Sequence, residues 1–209
     1  MSGKTETFRF GRSGPATSAL LIVLLVSLGL RAWIVCRGGQ NFWPDENRYG
    51  AARDSVGYLA AGRWSDASQA LFDKPEHIFF KVLGLLPATV ELVTGKNSVL
   101  PALFYSCFSV GAIGMIWGIA RRLGADPWAA WWSAVMMSGM NSLFYYSRHL
   151  LPYDTALFFG LVAWLNAAGD GQSKAAFWTG FWAALCFLTY NGYWLLGAAA
   201  MGADRKSVV

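Results

Sequence analysis

TSALLIVLLVSLGLRAWIVC, from Thr17 to Cys36, carries a single charged residue, Arg31. A helix needs about 20 mostly apolar residues to cross the hydrocarbon core of a bilayer. This stretch therefore reads as a membrane span, with Arg31 near its far end, where a long side chain can snorkel to the interface. It is longer than the roughly 7–15-residue apolar core of a signal peptide, and no small-x-small cleavage motif clearly follows it, so it reads as an uncleaved anchor. Further uncharged runs lie at Val99–Ala120 and Pro127–Ser147. Thr155–Ala168 is shorter, but extends back through Leu150-Leu151-Pro152-Tyr153 if Asp154 sits at the boundary. Ala175–Gly202 is too long for one simple span and predicts a helix, a break at Asn191-Gly192 and the start of another helix. The expectation is an all-α, polytopic transmembrane bundle of about five to six spans.

Composition agrees. The 209 residues are 55% hydrophobic, 16% aromatic and only 14% charged, with a mean hydropathy of +0.36. Soluble domains carry roughly 25% charged residues, and disordered chains lack this apolar content. Eleven tryptophans and fourteen phenylalanines suit a lipid-embedded bundle with interfacial aromatics. The net charge of +5 is spread among the segments, so no basic stripe points to nucleic acid. Cys36, Cys107 and Cys186 are far apart and form neither a CxxC pattern nor a disulfide framework.

One segment needs a second argument. HIFFKVLGLLPATVELVT, His77 to Thr94, is apolar but holds Lys81, Pro87 and Glu91. Lys4, Arg9 and Arg12 place residues 1–16 in the cytoplasm by the positive-inside rule. If His77–Thr94 does not cross, the Arg121-Arg122 and Asp170–Lys174 loops also fall inside. It therefore reads as an amphipathic helix on the outer face, within an external loop covering 37–97. The turn around Arg148–Asp154 then faces the same compartment as that loop.

Three polar clusters follow from this topology. Asp45 and Glu46 come just after Pro44, beyond the first helix. A carboxylate pair at a membrane surface can serve as general base and as metal or substrate ligand, and acidic residues after proline also cap helices. Asn47–Leu59 alternates as a short amphipathic helix, with Tyr49, Ala52, Val56 and Leu59 on one face and the charges of Arg48, Arg53 and Asp54 elsewhere. The second cluster, Tyr145 to Asp154, ends one uncharged run and opens the next. Arg148 there can hold a lipid phosphate or ordinary headgroups, Asp154 can cap the following helix, and His149 lacks a partner that would specify a metal. Lys74-Pro75-Glu76-His77 is the third cluster and also reads as a turn.

In this order the pieces resemble the N-terminal half of GT-C glycosyltransferases, in the branch of protein O-mannosyltransferases and lipid A aminoarabinose transferases (glycosyltransferase family 39-like). The resemblance rests on Asp45-Glu46 followed by Tyr49, on Lys74-Pro75, on Ala120 to Leu123 ending a helix, on Tyr146-Ser147-Arg148, and on Pro152-Tyr153-Asp154. It covers about Leu20 to Leu195. Glu76-His77 stands where relatives often have a second proline and an apolar residue, and Thr189-Tyr190-Asn191-Gly192 where many have Thr-Lys-Gly.

The resemblance implies transfer of a sugar from a polyprenyl-phosphate donor to a glycan, lipid or protein acceptor, outside the inner (cell) membrane. The reaction would be an inverting displacement. In it Asp45 is the general base, Glu46 orients the acceptor or a divalent cation, Tyr49 contacts substrate, Arg148 with Lys74 offsets the leaving phosphate, and Asp154 supports the site. A secondary transporter, with Arg31 and Arg148 lining a path, and a noncatalytic membrane scaffold are the alternatives.

The last six residues, Asp204 to Val209, read as the translation of GATCGGAAGAGCGTCGTG, a common sequencing-adapter string. Without them two cations and one anion go and the net charge becomes +4. This predicts the N-terminal part of a longer membrane protein, inactive by itself.

Overall fold

The computed structural model describes residues 14–40, 43–169 and 173–204. The basic N-terminal stretch with Lys4, Arg9 and Arg12, most of the Asp170–Lys174 connection and all but Asp204 of the terminal hexapeptide lie outside these residues. Every element among them is helical, so the fold is all-α. In order these are α1 (Pro15–Cys36), a 3-10 turn (Pro44–Asn47), α2 (Arg48–Ala60), α3 (Trp64–Phe72), α4 (Ile78–Thr94) and α5 (Val99–Arg122). There follow α6 (Pro127–Ser138), α7 (Asn141–Tyr146), α8 (Tyr153–Ala167), α9 (Ser173–Thr189), a second 3-10 turn (Asn191–Tyr193) and α10 (Trp194–Asp204).

Two helices, α1 with 22 residues and α5 with 24, are long and apolar enough to cross a membrane. The other apolar runs make shorter helices. Pro127–Ser147, expected as one uninterrupted span, breaks where Gly139 ends α6 and Met140 turns extended before α7. Leu150 to Pro152 stay outside α8, leaving it 15 residues, about 22 Å at about 1.5 Å per residue. The break at Asn191-Gly192 is present, as the 3-10 turn between α9 and α10.

Helix ends follow local chemistry. Asp126 caps α6 by accepting from the backbone N–H of Trp128 and Ala129, at 2.9 and 3.2 Å. Asn97 does the same for Val99 and Leu100 at the start of α5. Arg121 and Arg122 complement the negative end of α5.

Several apolar cores among the described residues hold the helices together. Leu20, Ile113, Trp117, Ala130 and Ala134 join α1, α5 and α6. Ala163, Ala167, Ala183 and Ala200 let α8, α9 and α10 approach closely. The third core, with Val35, Tyr49, Ala52, Phe80, Ala88 and Tyr105, clamps α2 and α4 onto α5. Close approach is needed there: a Cβ at Gly84 would lie 2.9 Å from the Tyr105 hydroxyl and 3.0 Å from Ala52 Cβ. Tyr49, Ala52 and Val56 form the buried face of α2 as its periodicity predicts, but Leu59 is exposed because α2 ends one residue later. The outer flank of α1 (Leu21, Ile22, Leu25, Val26, Trp33) is apolar and exposed.

Arg31 corrects the snorkelling expectation. Its side chain is 0% exposed and turns inward. Nε donates to the Ser109 hydroxyl of α5 at 3.1 Å, Nη1 to the Ser27 carbonyl at 3.3 Å, and the guanidinium lies 5.2 Å from the Phe144 ring centre. The Asp154 carboxylate of α8, also buried, interacts with Ser109 and supplies the opposing charge. α1 and α8 are thus tied to α5 by a polar centre that the isolated runs do not reveal.

Candidate functional site

The site grows from the 3-10 turn after α1. Pro44 opens it, and the turn sends Asp45 and Glu46 in opposite directions. Glu46 is 1% exposed. One oxygen accepts from the Trp43 backbone N–H at 2.8 Å, closing a capping box across the turn. The other accepts from the Leu150 backbone N–H at 2.9 Å and from His149 Nδ1 at 3.2 Å. Glu46 therefore staples the loop after α1 to the turn between α7 and α8. The structure brings these two clusters together at one end of the bundle, although they lie a hundred residues apart.

His149 is fully buried, and its two ring nitrogens have separate partners. Arg148 Nε donates to Nε2 at 3.2 Å, which leaves the proton on Nδ1 for Glu46. Burial lowers the His149 pKa, and the Glu46 charge works against that shift. The Arg148 guanidinium also lies 5.3 Å from the Tyr145 ring centre and packs beside Gly39.

Asp45 is half-exposed and pairs with Arg48 one turn later at 3.1 Å. Two cavities flank this pair. A small one of about 100 Å³ is lined by Trp43, Asp45, Tyr146, Leu151 and Tyr153. The wider one, about 350 Å³, is lined by Pro44, Arg48, Asp73, Lys74, Glu76 and Lys81 among others. Lys74 is exposed at its rim. Lys81 is buried on α4, and its ammonium donates to the Leu71 and Lys74 carbonyls past the end of α3. Desolvation lowers its pKa, with the Arg48 charge acting in the same direction.

Five expectations need correction. Tyr49 is buried, and its hydroxyl donates to Glu91 Oε2 at 3.0 Å instead of meeting a substrate. Arg53 forks onto the same carboxylate at 2.8 and 2.7 Å, so its charge is engaged and not merely solvated. These bonds hold the Glu91 carboxyl below its ordinary pKa against desolvation, the largest single influence on it, and they lock α2 to α4. Arg148 is turned onto His149 and does not line either cavity. Asp154 is neither a surface cap nor a wall of these cavities: Pro152 takes the cap position of α8, and the carboxylate points into the Arg31 centre. Glu46 is buried and lines neither cavity, so it does not reach an acceptor or a cation held there.

A divalent cation does not fit Glu46 for that reason. Among the described residues no group of three His, Cys, Asp or Glu side chains is gathered for one. The cavity residues that sequence reasoning gave no role are Arg48 and Lys81. Arg48 carried a signal in its spacing, one turn beyond Asp45; Lys81 was hidden in an apolar run.

Compared with protein-family models, curated proteins and solved structures, the chain matches none of them.

Proposed function

We propose that this chain forms part of the transmembrane domain of an inverting glycosyltransferase of the GT-C type, which moves a sugar from a polyprenyl-phosphate donor to an acceptor on the extracytoplasmic side of the inner membrane. The observation that carries the reading is the Asp45–Arg48 pair set between an aromatic cavity and a wider one bearing Lys74 and Lys81. In this reading α1 and α5 span the bilayer and the shorter helices from α6 onward complete about five to six crossings, with neighbours covering their ends. Helices α2 to α4 lie on the outer face, where a lipid-linked donor can reach the cavities without leaving the membrane.

Phosphate leaves readily only where its growing charge is offset. Arg48 and Lys74 are placed for that role, which sequence analysis gave to Arg148 and Lys74. Asp45 removes the acceptor hydroxyl proton, and its negative charge favours an oxocarbenium-like sugar. Glu46 and Tyr49 act at one remove, by holding the turn and α2 in place. No step is routed through a metal ion.

The test is transfer of labelled sugar from polyprenyl-phosphate mannose and aminoarabinose to added acceptors, with the product of the uninterrupted reading frame that carries this chain in nanodiscs. Asp45→Asn in that product should lower transfer by about 10²–10⁴-fold, the usual contribution of a positioned base. Undiminished transfer by that variant removes Asp45 as base, and no transfer from either donor by the unaltered product removes the reading.

A second reading has one observation in its favour. Arg31 and Asp154 are ionisable groups inside a helix bundle, and such groups mark substrate or ion paths in transporters. Vesicle uptake that depends on Arg31, with no sugar transfer, would select it.

A further inference from the structure

The turn between α7 and α8 joins two neighbours, Arg148 and His149, by a bond that only one charge state allows. Arg148 Nε donates to His149 Nε2 at 3.2 Å, and His149 Nδ1 donates in turn to Glu46 Oε1 at 3.2 Å. A guanidinium has no lone pair to offer and can only donate. The bond therefore exists only while Nε2 keeps its lone pair, which means only while the imidazole is neutral.

In this state the Arg148 guanidinium is fixed from several sides. Its central carbon lies 5.3 Å from the Tyr145 ring centre on α7. A Cβ at Gly39, in the loop after α1, would lie 3.6 Å from that carbon and from Nη1. Arg148 is thus a second tie between this loop and the turn before α8, beside the Glu46 staple. The two ties differ in chemistry. Glu46 also accepts from the backbone N–H groups of Trp43 and Leu150, which do not titrate, whereas Arg148 depends on a ring that does. His149 is 1% exposed. The titratable and charged groups around it are Glu46 on the 3-10 turn, Arg148 in its own turn and Tyr145 on α7, whose ring centre lies 5.1 Å away. Burial, and with it the Arg148 charge, disfavours protonation and Glu46 favours it, so the ring is neutral at pH 7 and takes up its proton below about 6.5.

We propose that His149 is an acid-operated latch on Arg148: a proton added at Nε2 breaks the Arg148–His149 bond and sends the guanidinium to solvent, while the imidazolium stays on Glu46. The proton comes from water, and the one covalent change is the new N–H bond. After it, two N–H donors and two like charges face each other at contact distance, and they repel. Release ends the hold of Arg148 on Gly39 and Tyr145, while Glu46 gains a fully charged partner. Acid therefore loosens one tie of the loop after α1 and tightens the other. Tyr146 and Leu151, on either side of the pair in the chain, line the aromatic cavity, so the latch sits in its frame. None of this depends on the glycosyltransferase reading.

The test is hydrogen exchange at the Arg148 Nε–H, followed by NMR of the full chain in micelles. The chain is 15N-labelled at arginine, histidine and leucine, and Arg148→Lys assigns the signal. Exchange at this group is base-catalysed, so a free arginine slows as pH falls; the latch predicts the opposite course for Arg148 relative to Arg37, which is exposed over the Trp33 ring. At pH 7 Arg148 should exchange about tenfold or more slower than Arg37, as a hydrogen bond from a charged donor requires. That ratio should fall toward one as pH drops to about 4.5, two units below the ordinary histidine value. Its midpoint should match that of the His149 ring 15N shifts. The Leu150 N–H, whose bond to Glu46 the latch leaves intact, should stay protected throughout. Protection of Arg148 that survives the charging of His149 overturns the proposal, and so does a ring still neutral at about pH 4.5. Loss of protection at Arg148 and Leu150 together also overturns it, because the fold has then opened as a whole. His149→Leu should leave Arg148 unprotected at both ends of the range, and continued protection there overturns the latch; if that variant does not fold, the titration of the unaltered chain decides.

Discussion

Removing Asp154 from the Arg31–Asp154 centre should damage the bundle far more than removing both residues. Arg31 has no exposure to solvent, and its charge is met by one hydroxyl, one carbonyl, the Phe144 ring and the Asp154 carboxylate. One nitrogen of the guanidinium, Nη2, and one oxygen of the carboxylate, Oδ2, have no partner among the described residues. Asp154→Leu would leave a buried cation with neutral neighbours only, whereas Arg31→Met leaves a carboxyl that can take up a proton and stay neutral. Stranding a buried charge costs about 3–5 kcal/mol, whereas replacing a whole buried pair by apolar residues of similar volume is often neutral or stabilising by about 1–4 kcal/mol. The double variant Arg31→Met/Asp154→Leu should therefore stand near the unaltered protein or above it, with Asp154→Leu well below and Arg31→Met between them. Reversible unfolding in mixed micelles, followed by the fluorescence of the eleven tryptophans, reads the four stabilities. An Asp154→Leu variant within about 0.5 kcal/mol of the unaltered chain, or a double variant as unstable as Asp154→Leu, would refute the claim that Asp154 compensates the Arg31 charge.

Glu46→Ala should detach the loop after α1 from the turn before α8, because the backbone N–H groups of Trp43 and Leu150 and the Nδ1–H of His149 lose their acceptor together. Each stranded donor costs about 1–3 kcal/mol, and proteolysis near residues 43–47 should become fast in the variant. Glu46→Gln keeps an acceptor oxygen and should lie between the two; identical protease resistance in all three proteins would count against the staple. Acid should also weaken the fold. His77 and His149 both have pKa values lowered by burial, so below about 6.5 the unfolded chain takes up protons that the folded chain refuses. Stability should hold above that pH and fall as pH drops through it toward the lower folded values. His149→Asn should remove part of that slope in micelle unfolding measured between about pH 7 and 5.

Several elements could be read directly from residue order. Apolar runs of helical length predict α1 and α5, the Asn191-Gly192 interruption predicts the end of α9, and the spacing of Tyr49, Ala52 and Val56 predicts the buried face of α2. These depend on local hydrophobicity and period, which a linear pattern carries. The break inside Pro127–Ser147 was not legible, because Gly139-Met140 is an unremarkable pair within an uncharged run. Nor could the short helix α3 be separated from its loop.

The residue types gathered at the outer end were present in the chain as Asp45-Glu46, Lys74-Pro75 and Tyr145 to Asp154, and their order sufficed to suggest a lipid-phosphate site. Which of them touch one another was decided by tertiary contact alone. Two adjacent carboxylates acquired opposite fates, Asp45 at a cavity with Arg48 and Glu46 sealed beneath Leu150, because a 3-10 turn points successive side chains apart. Arg31 and Asp154 meet through Ser109 from helices more than a hundred residues apart, since a charge excluded from water must find its counter-charge wherever the packing brings one. Sequence alone determined the long apolar helices and the inventory of polar groups; desolvation and long-range packing determined where the other helices break, which polar groups became structural ties and which were left facing a cavity.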